Sequence, residues 1–232
     1  MLDILRAGLA ELGLDESKAE TLEAFARMVL EKNRVMNLTA ITDEADFARL
    51  HLLDSAALLR FVAFGGRAVV DVGTGAGFPG VPLRILCPGA RRITLLDATG
   101  KRVEFLREAC AALKLTGVSF IDARAEDFAA KKREAFDVAV SRAVAALPVL
   151  CELCLPLVRV GGRFLAMKSA QSGAELEDAA RAIKTLGGKV SRVEDYAVPT
   201  SGITHRLIVI DKIEPTPEGY PRAYGQIKNK PL

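Results

Sequence analysis

Through residues 1–63 the apolar positions recur at helical spacing. Leu2, Leu5, Leu9 and Leu12 mark a first helix, and Leu22, Phe25, Ala26, Val29 and Leu30 a second. A third starts near Asp43-Glu44 and carries Phe47, Leu50, Leu53, Leu58 and Phe61. No strand pattern interrupts this stretch, so it predicts an N-terminal helical cap. From Ala68 the period changes. Short apolar runs now alternate with helical spacing: strand 68–72, helix 79–87, strand 92–96, helix 99–115, strands 118–122 and 136–141, helix 145–159, strand 162–168 and helix 173–186. That alternation predicts a parallel sheet with helices on both faces, spanning residues 64–214. Strands 189–198 and 205–213 follow with no helix between them, and so short a connection requires antiparallel pairing. A basic tail over 215–232 completes the chain.

The first strand runs into Gly73, Gly75, Gly77 and Gly80. So many glycines would be costly inside a helix or strand. They fit a turn that needs positive φ or a close ligand approach, with helix N–H groups aimed at an anionic group. Asp97, twenty residues after Gly77, ends the second strand, where an acid suits a ribose diol. Read literally, Gly75 to Gly80 is also the G-x-G-x-x-G of dinucleotide-binding proteins. Asp71, two residues before the first glycine, makes D-x-G-x-G-x-G, which resembles the motif of S-adenosylmethionine (SAM) methyltransferases. Its carboxylate can orient the loop and oppose a cationic ligand. A single reversed strand closing a parallel sheet is likewise the topology of the class I SAM-dependent methyltransferases, an α/β, Rossmann-like fold. Two rivals stand beside this reading: a nicotinamide-dependent oxidoreductase using the same glycines, and a non-catalytic RNA-binding module, which leaves the loop and Asp97 unexplained.

The 232 residues allow one well-buried domain and a small appendage. Charge within Met1 to Arg6 interrupts any signal-peptide core, and no run of about 18 apolar residues occurs, so a cytoplasmic protein is expected. The net charge of +3 permits nucleic-acid binding without demanding it. Of the basic clusters, Arg91-Arg92 and Lys131-Lys132-Arg133 read as solvated faces. The tail, with its tyrosines, reads as an RNA contact without a helix or strand of its own. Cys151 and Cys154 have metal-like spacing but fall on an apolar helical face with no second pair, so they read as buried thiols and no metal is expected.

In an open α/β sheet the ligand lies beyond the carboxyl ends of the strands. That nominates Gly73 to Phe78, Asp97, Ala125-Glu126 and Ser141-Arg142. Ala125-Glu126 lies where methyltransferases hold adenine, although Glu126 and Asp127 also suit a helix start, and the sequence leaves both readings open. The fourth strand ends in Ser141-Arg142 without the Asn- or Asp-Pro-Pro-aromatic set that accepts an amine, and without a Pro-Cys nucleophile. The acceptor therefore needs no deprotonation, a condition guanine N7 meets with its free lone pair.

Asn37-Leu38-Thr39-Ala40-Ile41-Thr42, His51-Leu52-Leu53-Asp54-Ser55, the loop Asp71 to Gly80, Leu95-Leu96-Asp97, Lys101 to Leu106, Val140-Ser141-Arg142-Ala143, Lys168, His205-Arg206 and Tyr220-Pro221-Arg222 together resemble the bacterial 16S rRNA guanine-N7 methyltransferases, once called glucose-inhibited division protein B. The chain departs from the family at Lys32, where Trp is frequent, and at Leu50, where Arg is frequent. The resemblance implies a SAM enzyme, monomeric, acting on one guanine of small-subunit rRNA near the decoding centre. It implies cofactor contacts at Gly73, Phe78, Ala125, Glu126 and Arg142, joined by Gly75, Gly77 and Asp97 from the loop reading. RNA contacts are expected at Asn37, His51, Lys168, Arg206, Arg222 and Lys228. No general base is expected, with Arg142 and Lys168 positioning the substrates.

Overall fold

In the computed structural model, residues 1–142, 145–171 and 173–232 are described. Ala143, which closes one of the resembling motifs, lies outside them. The helical segment comprises α1 (Leu2–Glu11), α2 (Ala19–Met36), α3 (Glu44–Phe47) and α4 (Asp54–Ala57), with a π-helical stretch Ala48–Leu53 between the last two. Asp15 and Asp43 cap the starts of their helical turns, Asp43 accepting from the Ala45 and Asp46 amides at 2.9 Å. Then come β1 (Ala68–Val72), α5 (Gly80–Leu86), β2 (Arg92–Asp97), α6 (Gly100–Ala112), β3 (Val118–Asp122), α7 (Ala125–Lys131), β4 (Phe136–Arg142) and α8 (Leu147–Cys154). The chain continues through β5 (Val158–Ser169), α9 (Gly173–Asp178), α10 (Ala180–Thr185), β6 (Gly188–Ala197), β7 (Thr204–Lys212) and α11 (Tyr224–Asn229).

The strands form one seven-stranded sheet in the order β3-β2-β1-β4-β5-β7-β6. β7 pairs antiparallel with both β5 and β6 and is the reversed strand the sequence pattern anticipates. Strand order turns back at β1, with β2 on one side and β4 on the other, which opens a crevice beyond their carboxyl ends. Side-chain alternation splits the core in two. Val69, Ile93, Leu95, Val138, Val140 and Leu165 face a cluster shared with α1, α2, the π-helical stretch, α5 and α6. Ala68, Val70, Val72, Ala139, Phe164 and Ala166 face the opposite cluster, with α7, α8, α10 and Ile227 of the tail. Residues 1–63 thus share the core of one sheet face.

Four expectations need correction. A helix, α7, separates β3 from β4. The helix expected over 145–159 ends at Cys154 and gives way to a tight 3₁₀ turn, Leu155–Leu157, because Pro156 lacks the amide an α-helix needs. β5 therefore starts earlier than 162. The region 173–186 forms two short helices. The tail, expected to have no element of its own, forms α11. No helix among the described residues is long and apolar enough to cross a membrane.

Candidate functional site

β1 delivers Asp71, fully buried, to the base of the glycine turn. Its Oδ2 accepts from Thr74 Oγ1 at 2.7 Å and from the Gly80 amide at 2.8 Å, so one oxygen ties both ends of the loop together. Oδ1 has no hydrogen-bond partner among the described residues. Burial outweighs the two hydrogen bonds and pushes the Asp71 carboxyl up to about 6. Gly73, Gly75 and Gly77 take φ of 70°, 58° and 103°, where only glycine is unstrained. Their uses differ. A Cβ on Gly77 would sit 2.8–2.9 Å from Leu106, Phe25 and Val81, whereas one on Gly75 would meet only the Gly73 carbonyl, at 3.9 Å, and leaves open space.

Asp97 ends β2 with its carboxylate already oriented, Oδ2 accepting from the Gly75 amide at 3.0 Å and Oδ1 from the Thr99 amide at 2.9 Å. The loop, Asp97, Phe78 and Arg142 line a cavity of about 360 Å³. Gly73 and Asp97 also border a smaller one, about 100 Å³, with Ala125 and Glu126. At Ala125-Glu126 the helix-start reading holds, since Glu126 and Asp127 occupy the first turn of α7, and the same turn lines a cavity beside Asp97.

Arg142, at the mouth of β4, joins the sheet to the helical segment. Its guanidinium donates to the Leu50 carbonyl at 2.7 Å, Asp54 Oδ2 at 3.2 Å and His51 Nδ1 at 2.8 Å. Because arginine only donates, His51 Nδ1 is the acceptor, and Nε2 carries the proton it donates to Thr39 Oγ1 at 2.8 Å. The imidazole stacks on Phe78 at 4.7 Å between centroids, and Arg142 lies over the same ring. Burial, reinforced by the Arg142 charge, pushes His51 down to about 3. Asp54 is fully buried, yet Oδ1 accepts from Tyr196 Oη at 2.7 Å and His205 Nδ1 at 2.9 Å. Burial alone would push Asp54 up, but the His205 bond, the Arg142 charge and the Tyr196 bond hold it below the usual carboxylate range. His205 is raised in return, chiefly by its bond to Asp54. His51 and Arg142 also line a second cavity, about 440 Å³, with Ile41, Leu50, Met167 and Lys168.

The neutral His51 gives an acid-side prediction. Its pKa falls on folding, so the unfolded chain takes up a proton near 6.5 that the folded chain refuses until about 3. Stability is full above 6.5 and lost as pH falls towards 3. From pH 7 to pH 5 this is about 2 kcal/mol. His51→Gln is expected to flatten that part of the profile, checked by urea unfolding at the two pH values.

Residues 18–204 match the family described as GidB, rRNA small subunit methyltransferase G. The chain belongs to this family. Proteins named ribosomal RNA small subunit methyltransferase G from Alkaliphilus oremlandii and Clostridium tetani are 47% and 42% identical, each over 99% of this chain and 98% of the relative. Among solved structures, TrmN from Thermus thermophilus superposes with a TM-score of 0.53 at 24% identity, over 68% of this chain and 48% of that one. M. jannaschii TYW2 in complex with AdoMet gives 0.55 at 14% identity, over 70% of this chain and 76% of that one. The sheet is thus that of a class I methyltransferase, and this family member is a methyltransferase.

In this family member the residues expected at RNA differ in how free they are. Asn37 is exposed and takes φ 49° to end α2. The neighbouring Asn33, which sequence reasoning missed, ties the following loop down through the Leu38 and Thr39 amides at 2.6 and 2.9 Å. Lys168 is paired with Glu175 at 2.6 Å and donates to the Ala145 carbonyl, while Arg206 grips Asp195 through both carboxylate oxygens. Arg222 forks onto fully buried Glu152 of α8, with Nε at 2.8 Å and Nη2 at 2.6 Å. Arg133 is exposed, as expected of a solvated face, and also donates to the tail carbonyls of Thr216, Pro217 and Tyr220. The tail is folded back on the body, and Lys228 and Lys230 are its exposed cations. Cys151 and Cys154 are buried on α8, and burial pushes both thiols up.

Proposed function

We propose that this chain methylates N7 of a guanine in 16S rRNA with SAM as donor. The observation that carries the reading is the pair of cavities, about 360 and 440 Å³, that share His51 and Arg142 as a common wall. One suits the donor and the other a flat acceptor base.

The donor-side residues fit SAM. Gly75 leaves its Cβ space empty, Asp97 holds its carboxylate ready for a ribose diol, and Asp71 retains an unpartnered oxygen beneath the loop, where negative charge opposes a cationic ligand. SAM supplies a methyl group made electrophilic by the sulfonium. The chain's residues supply placement, which for a well-aligned pair is itself a large part of catalysis. Ile41, Leu50 and Met167 offer apolar walls to the acceptor base, and Arg142 and Lys168 bring positive charge to that cavity, matched to guanine O6 or a phosphate.

The chemistry of the acceptor follows from which groups are spoken for. His51 is neutral with Nδ1 filled by Arg142, Asp54 holds three donors, and Glu175 is paired with Lys168. None is poised to take a proton from a substrate. An acceptor with its own lone pair needs no such group, and N7 is one. Transfer of labelled methyl into small-subunit rRNA should therefore occur with guanine at the target and vanish with 7-deazaguanine. At saturating donor the single-turnover rate should show no ionisation removable by mutating one carboxylate or histidine. A clean ionisation so removed would overturn the N7 assignment and favour an amine or hydroxyl.

A further inference from the structure

The smaller cavity beside Asp97 has a wall from the far end of the chain. Tyr224, the first residue of α11, lines it together with Val72, Leu96 and Leu153 and with the Arg124 to Glu126 turn. Three features fix that tyrosine and the residues around it. Arg124 lies 4.7 Å over its ring, Ile227 one turn later is fully buried in the core, and Arg222 two residues earlier is locked to buried Glu152. A tail serving only as an electrostatic arm needs none of this. Its arginine is used inward, and the Tyr224 side chain borders a cavity.

We infer that the C-terminal tail completes the donor site, with Tyr224 forming the wall against the adenine of SAM. The inference rests on the donor placement given above, since it is the Asp97 end that fixes the ribose and so brings the base to the cavity walled by Ala125, Glu126 and Tyr224. An aromatic ring backed by a guanidinium is a chemical match for a purine. Arg124 covers and orients the phenol ring, and a flat, polarisable base packs on such a surface with geometry rather than hydrogen bonding as its requirement. Apolar Val72, Leu96 and Leu153 exclude water around it, while Glu126 supplies an acceptor for an exocyclic amine. The tail then acts on the cofactor, and RNA contact falls to Lys228 and Lys230 on its outer side.

The test is SAM binding to the full-length protein carrying Tyr224→Ala, with Tyr224→Phe as the variant that keeps the ring. Stacking on a base is worth enough to expect a five- to fiftyfold weaker Kd for the alanine variant and less than a twofold change for phenylalanine. Methylthioadenosine, which has the adenine and ribose but no amino-acid end, should lose affinity by the same factor. Three results would overturn the inference: unchanged SAM affinity in Tyr224→Ala, a loss seen with SAM but not with methylthioadenosine, or a lowered melting temperature with affinity intact. Failure of the wild-type chain to bind SAM at all would instead remove the donor reading on which this one stands.

Discussion

Asp54→Ala is expected to lower stability by about 3–5 kcal/mol, the scale seen when one partner of a buried ion pair is removed. For a chain of this size that is a fall of roughly 6–20 °C in melting temperature. The magnitude follows from position. Asp54 is fully buried and takes hydrogen bonds from Arg142, Tyr196 and His205, so the alanine strands a guanidinium and a phenol away from water. Asp54→Asn should recover part of the loss, because an amide oxygen still accepts from Tyr196 but no longer balances Arg142. Chemical denaturation of the three proteins at pH 7 settles it. A change below about 1 kcal/mol would place the pair with solvent-exposed ion pairs and refute its role as a buried tie between helices and sheet.

Asp97→Ala is expected to weaken SAM binding by about ten- to a hundredfold, equal to losing charge-assisted hydrogen bonds of roughly 1.5–3 kcal/mol. Two effects act together. The ribose loses its acceptor, and the Gly75 and Thr99 amides lose the carboxylate that orients them. Isothermal titration with a folded variant measures the loss, and circular dichroism checks that the sheet remains. Unchanged affinity would sink the ribose placement.

The glycine turn, Asp97 and the reversed β7 were legible from the sequence because each is a local signal: a residue type the backbone demands, a spacing of twenty, or two strands without a helix between them. The polar centre between the two large cavities was not. Asp54 sits in a run of leucines and alanines and draws its charge partners from β4 and β7, so its role depends on contacts 88 to 151 residues away. His51 was singled out, but its neutral state is set by Arg142 and burial, neither of which periodicity reports. The wider π-helical turn of Ala48–Leu53 departs from the 3.6-residue period that predicts the helix. The anchoring of the tail is hidden for a similar reason. Nothing in its arginine and tyrosines reports that Glu152, an acid hidden in an apolar helix, lies beneath Arg222.

The bond between His205 and Asp54, 151 residues apart, also sets an order of events during synthesis. A ribosome adding about 5–20 residues per second makes Asp54 some 8–30 seconds before it makes His205. For most of that interval the carboxylate has neither its histidine nor Tyr196, and Arg142 is made only part-way through. The glycine turn and the first strands can settle early on local contacts, whereas the wall between the two cavities closes only when the final hairpin emerges. A nascent chain halted before β7 lacks His205, and one halted before α11 still lacks Tyr224, so both the wall between the large cavities and the small cavity beside Asp97 are finished only as the last residues emerge.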